Sequence, residues 1–205
     1  MQAGVAVSTK QIAIPETVHV DSIIPDTALG VGFGVGQMYA SGTKGNNWRT
    51  VCRVDVGAAL SGWTDLTAGR LVGNVYSKVG SAFAATLRRV TEEFTYSQAS
   101  YNHRTTADHW ATAGADTPNS ATDTDPEKIG FTSPAANGVQ TIVSGLLTLV
   151  NDAINSRGGI FLFHVRSDNE GPGVSTYYEV PTTLYLEVDG TAPPAGGRRR
   201  GVRVV

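Results

Sequence analysis

The sequence predicts an all-β protein, an antiparallel β-sandwich with one short helix. Three observations carry this. Several short stretches alternate apolar and polar residues at period two, the mark of strands buried on one face. Only 17% of the 205 residues are charged while 24 are Gly, a composition that suits strands and tight turns better than helices. And one stretch alone carries a substantial helical spacing. A chain of this length suits a single domain and can bury a core without disulfides or metals.

Taken in order, the clearest strands are 51–56, 160–166 and 183–188. In the first, Cys52, Val54 and Val56 share a face and Arg53 and Asp55 share the other. In the second, Phe161, Phe163 and Val165 share a face, and His164 falls on the opposite one, toward solvent or an interface. In the third, Leu184, Leu186 and Val188 face inward. Weaker strands are expected at 12–20, 36–40, 69–77 and 85–90. Turn residues separate them at Gly45-Asn46-Asn47, Ser61-Gly62, Val79-Gly80-Ser81 and Glu170-Gly171-Pro172-Gly173. The stretch 144–156 sets Leu146, Leu147, Val150 and Ile154 on one helical face, and Arg157-Gly158 follows as a stop. This helix is expected to cap one end of the sandwich. Residues 100–140 read as a long irregular loop in which Trp110 is a candidate packing anchor.

The ends differ from the body. Residues 1–16 are small and mildly apolar and read as an N-terminal arm; 17–189 form the sandwich; 190–205 read as a basic C-terminal tail. The N-terminus has neither a basic n-region nor a long apolar h-region, and no stretch is long and apolar enough to span a membrane. The expectation is a soluble chain made in the cytoplasm, complete from its first Met, with no membrane partner.

Charge and chemistry narrow the function. The net charge is −2, so the body does not read as a nucleic-acid binder. The single cysteine, Cys52, forms no intrachain disulfide and is expected in the core. The histidines His19, His103, His109 and His164 lack zinc-ligand spacing. The carboxylates Glu92 with Glu93, Asp116 with Asp123 and Asp125, and Asp168 with Glu170 lie in turn contexts that suit capping and solvation, so no catalytic residues are assigned. Gly-rich 30–36 lacks the Lys-Ser/Thr ending of a phosphate loop and a following helix, and no nucleophile elbow or dinucleotide fingerprint is present. The chain therefore reads as a non-enzyme without a cofactor. A structural calcium held by Asp21, Asp26, Asp116, Asp123 and Asp125 is the one exception weighed, against solvated turn acids.

Two groups of residues suggest binding. Arg198, Arg199, Arg200 and Arg203 form the strongest charge asymmetry; removing these four takes the net charge from −2 to −6. They suit docking onto an acidic partner surface, with a solvated tail or nucleic-acid contact as alternatives. The aromatics Trp48, Trp63, Trp110, Tyr177 and Tyr178, with Tyr96 and Tyr101, fall largely at loops and strand ends. The first five are candidates for stacking on sugar faces, against the alternative that they fill the ends of the sandwich.

Seven segments follow one another in order: the run from Val18 through Pro25 to Gly30, the strand Arg49 to Val56, Leu66 to Val72, Leu87 to His103, Trp110-Ala-Thr-Ala-Gly-Ala-Asp116, the helix 144–156 and the strand from Gly159. Together they resemble the DNRLRE family, which is related to disaggregatase repeats and some carbohydrate-binding modules. The likeness spans 17–189, with Phe94 and Tyr101 standing where the family has tryptophans, which implies a packing role in a corner. The resemblance implies a jelly-roll-type sandwich, found in polysaccharide-binding proteins and in phage structural proteins. With extended arms at both ends, the expected function is a non-catalytic virion structural protein, a capsid decoration or cement subunit. Its partners would be the major capsid protein or other virion subunits and copies of itself. The alternative is a polysaccharide-binding module or a tail-associated adhesin for host glycans.

Overall fold

The computed structural model describes residues 6–21, 48–79, 81–95, 97–111, 128–168, 177–179 and 184–194. Among the described residues eleven strands and two helices follow one another: β1 (Ser8–Ala13), β2 (Glu16–Asp21), β3 (Trp48–Asp55), α1 (Val56–Ala59), β4 (Thr64–Val75), β5 (Ser77–Val79), β6 (Ala84–Arg89), β7 (Lys128–Thr132), β8 (Gly138–Ser144), α2 (Leu147–Ser156), β9 (Ile160–Ser167), β10 (Tyr177–Glu179) and β11 (Tyr185–Thr191). They build a four-stranded sheet, β1-β11-β4-β8, a five-stranded sheet, β2-β3-β9-β6-β7, and a small pair, β10-β5. Every pairing is antiparallel.

Setting aside β2, β5 and β10 leaves eight strands. In chain order the first, eighth, third and sixth form one sheet; the second, seventh, fourth and fifth form the other. This double Greek-key winding is the jelly roll. Its core lies between the sheets. Leu71, Val143, Leu186 and Val188 point in from one side, and Cys52, Val54, Leu87, Phe161, Phe163 and Val165 from the other. Burial pushes the Cys52 thiol well above its usual range, as its place among apolar side chains requires.

The strand expected at 160–166 lies within β9, and those expected at 51–56, 85–90 and 183–188 overlap β3, β6 and β11; Val56 already opens α1, and 69–77 runs from β4 across Tyr76 into β5. The expected strand 12–20 is two strands in different sheets. The chain crosses at Ile14-Pro15, where Ile14 N–H donates to Leu184 O at 3.0 Å and Pro15 has no N–H to continue a ladder. Residues 8–13, expected in an arm, pair along their whole length with β11, and Ile12 and Ile14 enter the core. β11 itself runs two residues past 189. The irregular reading of 100–140 is also corrected, because β7 and the start of β8 lie within it. β8 hides its period because a bulge opposite Leu71 and Val72 buries both Ile142 and Val143. The expected strand at 36–40 and the turns at 45–47 and 170–173 lie outside the described residues.

Helix α2 begins three residues later than expected, with Leu146 at its N-cap position. Its buried face is Leu146, Leu149, Val150 and Ala153, at i, i+3, i+4 and i+7, so Leu147 and Ile154 sit at the flank. It packs on β4 of one sheet, β9 of the other and α1, and so covers one end of the sandwich. Asp152 ties it down, accepting from Arg157 Nε at 2.6 Å and from Arg89 Nη1 of β6 at 2.7 Å. Those bonds, Arg157's first, hold the Asp152 carboxyl below the usual carboxylate range. Among the described residues no helix is long and apolar enough to cross a membrane.

The solvent side of the smaller sheet is stitched across three strands. Arg70 on β4 donates from Nε to Glu187 at 2.9 Å and from Nη1 to Asp189 at 2.7 Å, both on β11. From β1, Thr9 Oγ1 donates to Asp189 at 2.6 Å and Gln11 Nε2 to Glu187 at 3.2 Å. Arg70, then Thr9, holds the Asp189 carboxyl below its usual range. A carboxyl so lowered stabilises the fold at pH above its unfolded value, and that contribution fades as pH falls through its folded value. Arg70→Met should therefore cost about 1–2 kcal/mol at pH 7. Urea unfolding of both proteins should show the gap narrowing below about pH 4.

Candidate functional site

The helix-capped end of the sandwich carries a cleft of about 280 Å³. Its construction starts at Asp55, whose side chain ends β3 by accepting from Ala58 N–H at 2.8 Å and so caps α1. The N–H groups of Val56 and Gly57 both donate to the Gly159 carbonyl, at 2.9 and 3.0 Å. This brings α1 and the residues after α2 into backbone contact, at a place where a Cβ on either glycine would lie 2.8 Å from the other's Cα. The chain then turns through Ser61 and Gly62, the latter at φ 77°, and Trp63 N–H closes the turn on Leu60 O at 2.9 Å. The turn expected at Ser61-Gly62 is thus present, and it is what delivers Trp63 to the cleft.

Trp63 is half-buried, packing against the main core while lining the cleft. Across from this turn, Asn151, Ile154 and Asn155 come from successive turns of α2. Asp65 completes the lining, held at φ 49° and accepting from Thr64 Oγ1 at 3.0 Å. A positive φ outside glycine costs energy and is tolerated best by Asn and Asp; such strain clusters at functional positions. The cleft thus joins an indole anchored by the core to two amides, a hydroxyl and a carboxylate. An apolar ring face meets the C–H side of a sugar, while amides and a carboxylate exchange hydrogen bonds with its hydroxyls. The volume is at the small end of ligand sites, the scale of one sugar ring.

The other aromatic candidates divide. Trp110 is 5% exposed, and its Nε1–H donates to Ser100 O at 2.9 Å. It is a packing anchor and offers no free ring face, so the glycan-stacking assignment is corrected. Trp110 lies 6.0 Å from Phe94, ring to ring, in a second apolar cluster with Val18, Val20, Val51 and Leu162. That cluster roofs the outer side of the five-stranded sheet, and Tyr101 flanks it under the Arg49 guanidinium, 5.5 Å from the ring centre. The same roof explains His164. The strand pattern places it away from the main core, toward solvent or an interface, yet it is fully buried within the chain. Its face of the sheet is covered by the segment that carries Phe94 and Trp110, and period two cannot report a second layer.

Trp48 opens β3, and Tyr177 and Tyr178 pair with β5; their side chains lie outside the described residues. So do Arg198, Arg199, Arg200 and Arg203, and, among the acids weighed for calcium, Asp26, Asp116, Asp123 and Asp125 entirely and Asp21 in its side chain. Glu92 accepts from Ala111 N–H at 3.0 Å, Glu93 lies 3.6 Å from Arg53, and Asp168 accepts from Thr86 Oγ1. These are structural contacts on separate elements. Among the described residues no three His, Cys, Asp or Glu side chains are grouped to hold a metal ion.

Fold and site together define a jelly roll with a polar, aromatic-walled cleft at its helical end. No family model matches the chain, and no curated protein matches it.

Proposed function

We propose that this chain is a non-catalytic glycan-binding jelly-roll domain that holds a sugar ring against Trp63. The observation that carries the proposal is the Trp63 cleft, lined by a core-anchored indole together with Asp65, Asn151 and Asn155. Binding is favoured over glycoside hydrolysis because hydrolysis is usually the work of two facing carboxylates, and the described lining supplies one. The ordered segments resembling the DNRLRE family support the same reading. Screening the protein on immobilised polysaccharides should find retention that Trp63→Ala weakens at least tenfold, about 1.4 kcal/mol or more. The variant's circular dichroism should be unchanged. Equal retention of both proteins would overturn the proposal.

The setting we propose is the surface of a phage particle, with the domain as a decorating subunit beside the major capsid protein and copies of itself. The eight-strand winding favours it, since capsid and lectin domains share that architecture. Fold alone confers no activity, so the test is direct. Quantitative mass spectrometry of purified particles should find the chain in many copies, and its absence would remove this setting while leaving the glycan proposal in place.

A further inference from the structure

The segment that roofs the outer side of the larger sheet ends in a small hairpin. His103 and His109 form an isolated antiparallel bridge in it. Arg104 N–H donates to Asp108 O at 2.9 Å on one side of the pair, and Trp110 N–H donates to Asn102 O at 3.0 Å on the other. Those two bonds flank the histidines, which makes them a non-hydrogen-bonded cross-strand pair. In such a pair the Cα atoms approach to about 4.5 Å and the side chains stand side by side. The imidazole rings accordingly lie with centroids 4.1 Å apart and planes inclined at 38°. His109 is exposed because it alternates with Trp110, whose side chain is buried on the opposite side.

We propose that His103 and His109 form a two-imidazole clip for a late transition-metal ion such as Zn²⁺, with water completing the coordination. Two imidazoles bound to one ion at ~2.0–2.1 Å have ring centroids roughly 4.5–5 Å apart. The observed separation of 4.1 Å requires the rings to open by less than about 1 Å, within reach of small side-chain rotations. Ser100 Oγ lies 3.5 Å from His103 Nδ1. A contact of this kind on one ring nitrogen is what orients metal-binding histidines generally. The neighbouring cation is offset: Arg104 lies 3.6 Å from Glu92 and 3.6 Å from Asp108. The hairpin is already braced by Trp110 in the outer apolar cluster and by Thr105 Oγ1, which accepts from Asp108 N–H at 3.0 Å. Little chain ordering is therefore left for the ion to impose. Imidazole donors select Zn²⁺, Cu²⁺ or Ni²⁺ over Ca²⁺ and Mg²⁺.

The test is isothermal titration of the untagged, full-length chain with Zn²⁺, beside His103→Ala and His109→Ala. One ion should bind per chain, and each substitution should weaken it at least tenfold. Histidine ring ¹⁵N spectra of the wild-type chain supply a second readout that does not depend on how the variants fold. The signals of His103 and His109 should move together on adding Zn²⁺ while that of buried His164 stays. Failure to bind Zn²⁺ at millimolar concentration, affinity unchanged in both variants, or shifts confined to other histidines would each overturn the assignment.

Discussion

Phe163→Ala should lower the free energy of unfolding by about 3–5 kcal/mol, the largest effect expected of any single core truncation here. Phe163 is fully buried on β9, inside the five-stranded sheet, with Cys52 opposite it on β3 and Arg89 opposite it on β6. Its ring lies 4.9 Å from that of Phe161 two residues earlier. Strands on both flanks are hydrogen-bonded to β9, so the backbone has little freedom to collapse into the void, and a cavity that cannot close carries the full penalty. Val139→Ala supplies the contrast. That side chain is 76% exposed on the edge strand β8, and its loss should change stability by no more than about 0.5 kcal/mol. Guanidinium unfolding curves of the two variants should differ in midpoint at similar slope. A Phe163→Ala protein within 1 kcal/mol of wild type would mean that the two sheets do not pack as described.

Gly159→Ala should cost about 2–4 kcal/mol, for two reasons that neighbouring glycines separate. Gly159 has φ 85°, and an added Cβ would meet Gly57 Cα at 2.8 Å and Gly57 N at 3.1 Å. Neither contact is with a side chain that can swing away. The Gly159 carbonyl also accepts from both Val56 and Gly57, so any shift that relieves the clash weakens two bonds at the base of the cleft. Gly158→Ala isolates the backbone strain, since Gly158 has φ 62° and open space around its Cβ position; about 1 kcal/mol is expected. Gly130→Ala has neither burden and should be close to neutral. Thermal unfolding should therefore rank the three as Gly159 worst, Gly158 intermediate and Gly130 least affected. Because Gly57 lines the cleft, Gly159→Ala should also weaken any ligand held by Trp63.

These effects show which parts of the molecule could be read in advance. The strands holding Cys52, Phe161 and Leu186 announce themselves because each has one face in the core and the other toward polar surroundings or a thin cover. β1 and β7 do not, because Ser8–Ala13 sends only Ile12 fully inward and Lys128–Thr132 buries no residue completely. β8 is obscured by its bulge. The helix was legible from spacing and its glycine stop, but which leucines face inward depends on where the first turn begins. His164 escapes the pattern because alternation reports the sides of a strand, and the outer side of this sheet is itself covered; for Trp110 the sequence leaves packing anchor and stacking face both open, and its burial decides for the anchor.

The candidate site was legible in part. Trp63 could be picked out as an aromatic after a Ser-Gly turn. Asn151 and Asn155 sit four apart on the polar side of the helix, a signal present in the sequence but meaningless until α2 is placed beside the turn. Asp65 gives no sequence signal at all, since its distinguishing property is the positive φ imposed by the chain entering β4.

Occupancy of the cleft by a sugar ring can be read from the indole N–H spectrum of the ¹⁵N-labelled protein during titration with the best-retained polysaccharide fragment. Its three tryptophans give separately assignable signals. A sugar ring held in the cleft predicts that the Trp63 signal moves saturably while that of buried Trp110 stays fixed. A Trp63 signal that stays fixed while the ligand binds elsewhere would mean that the cleft is not the glycan site.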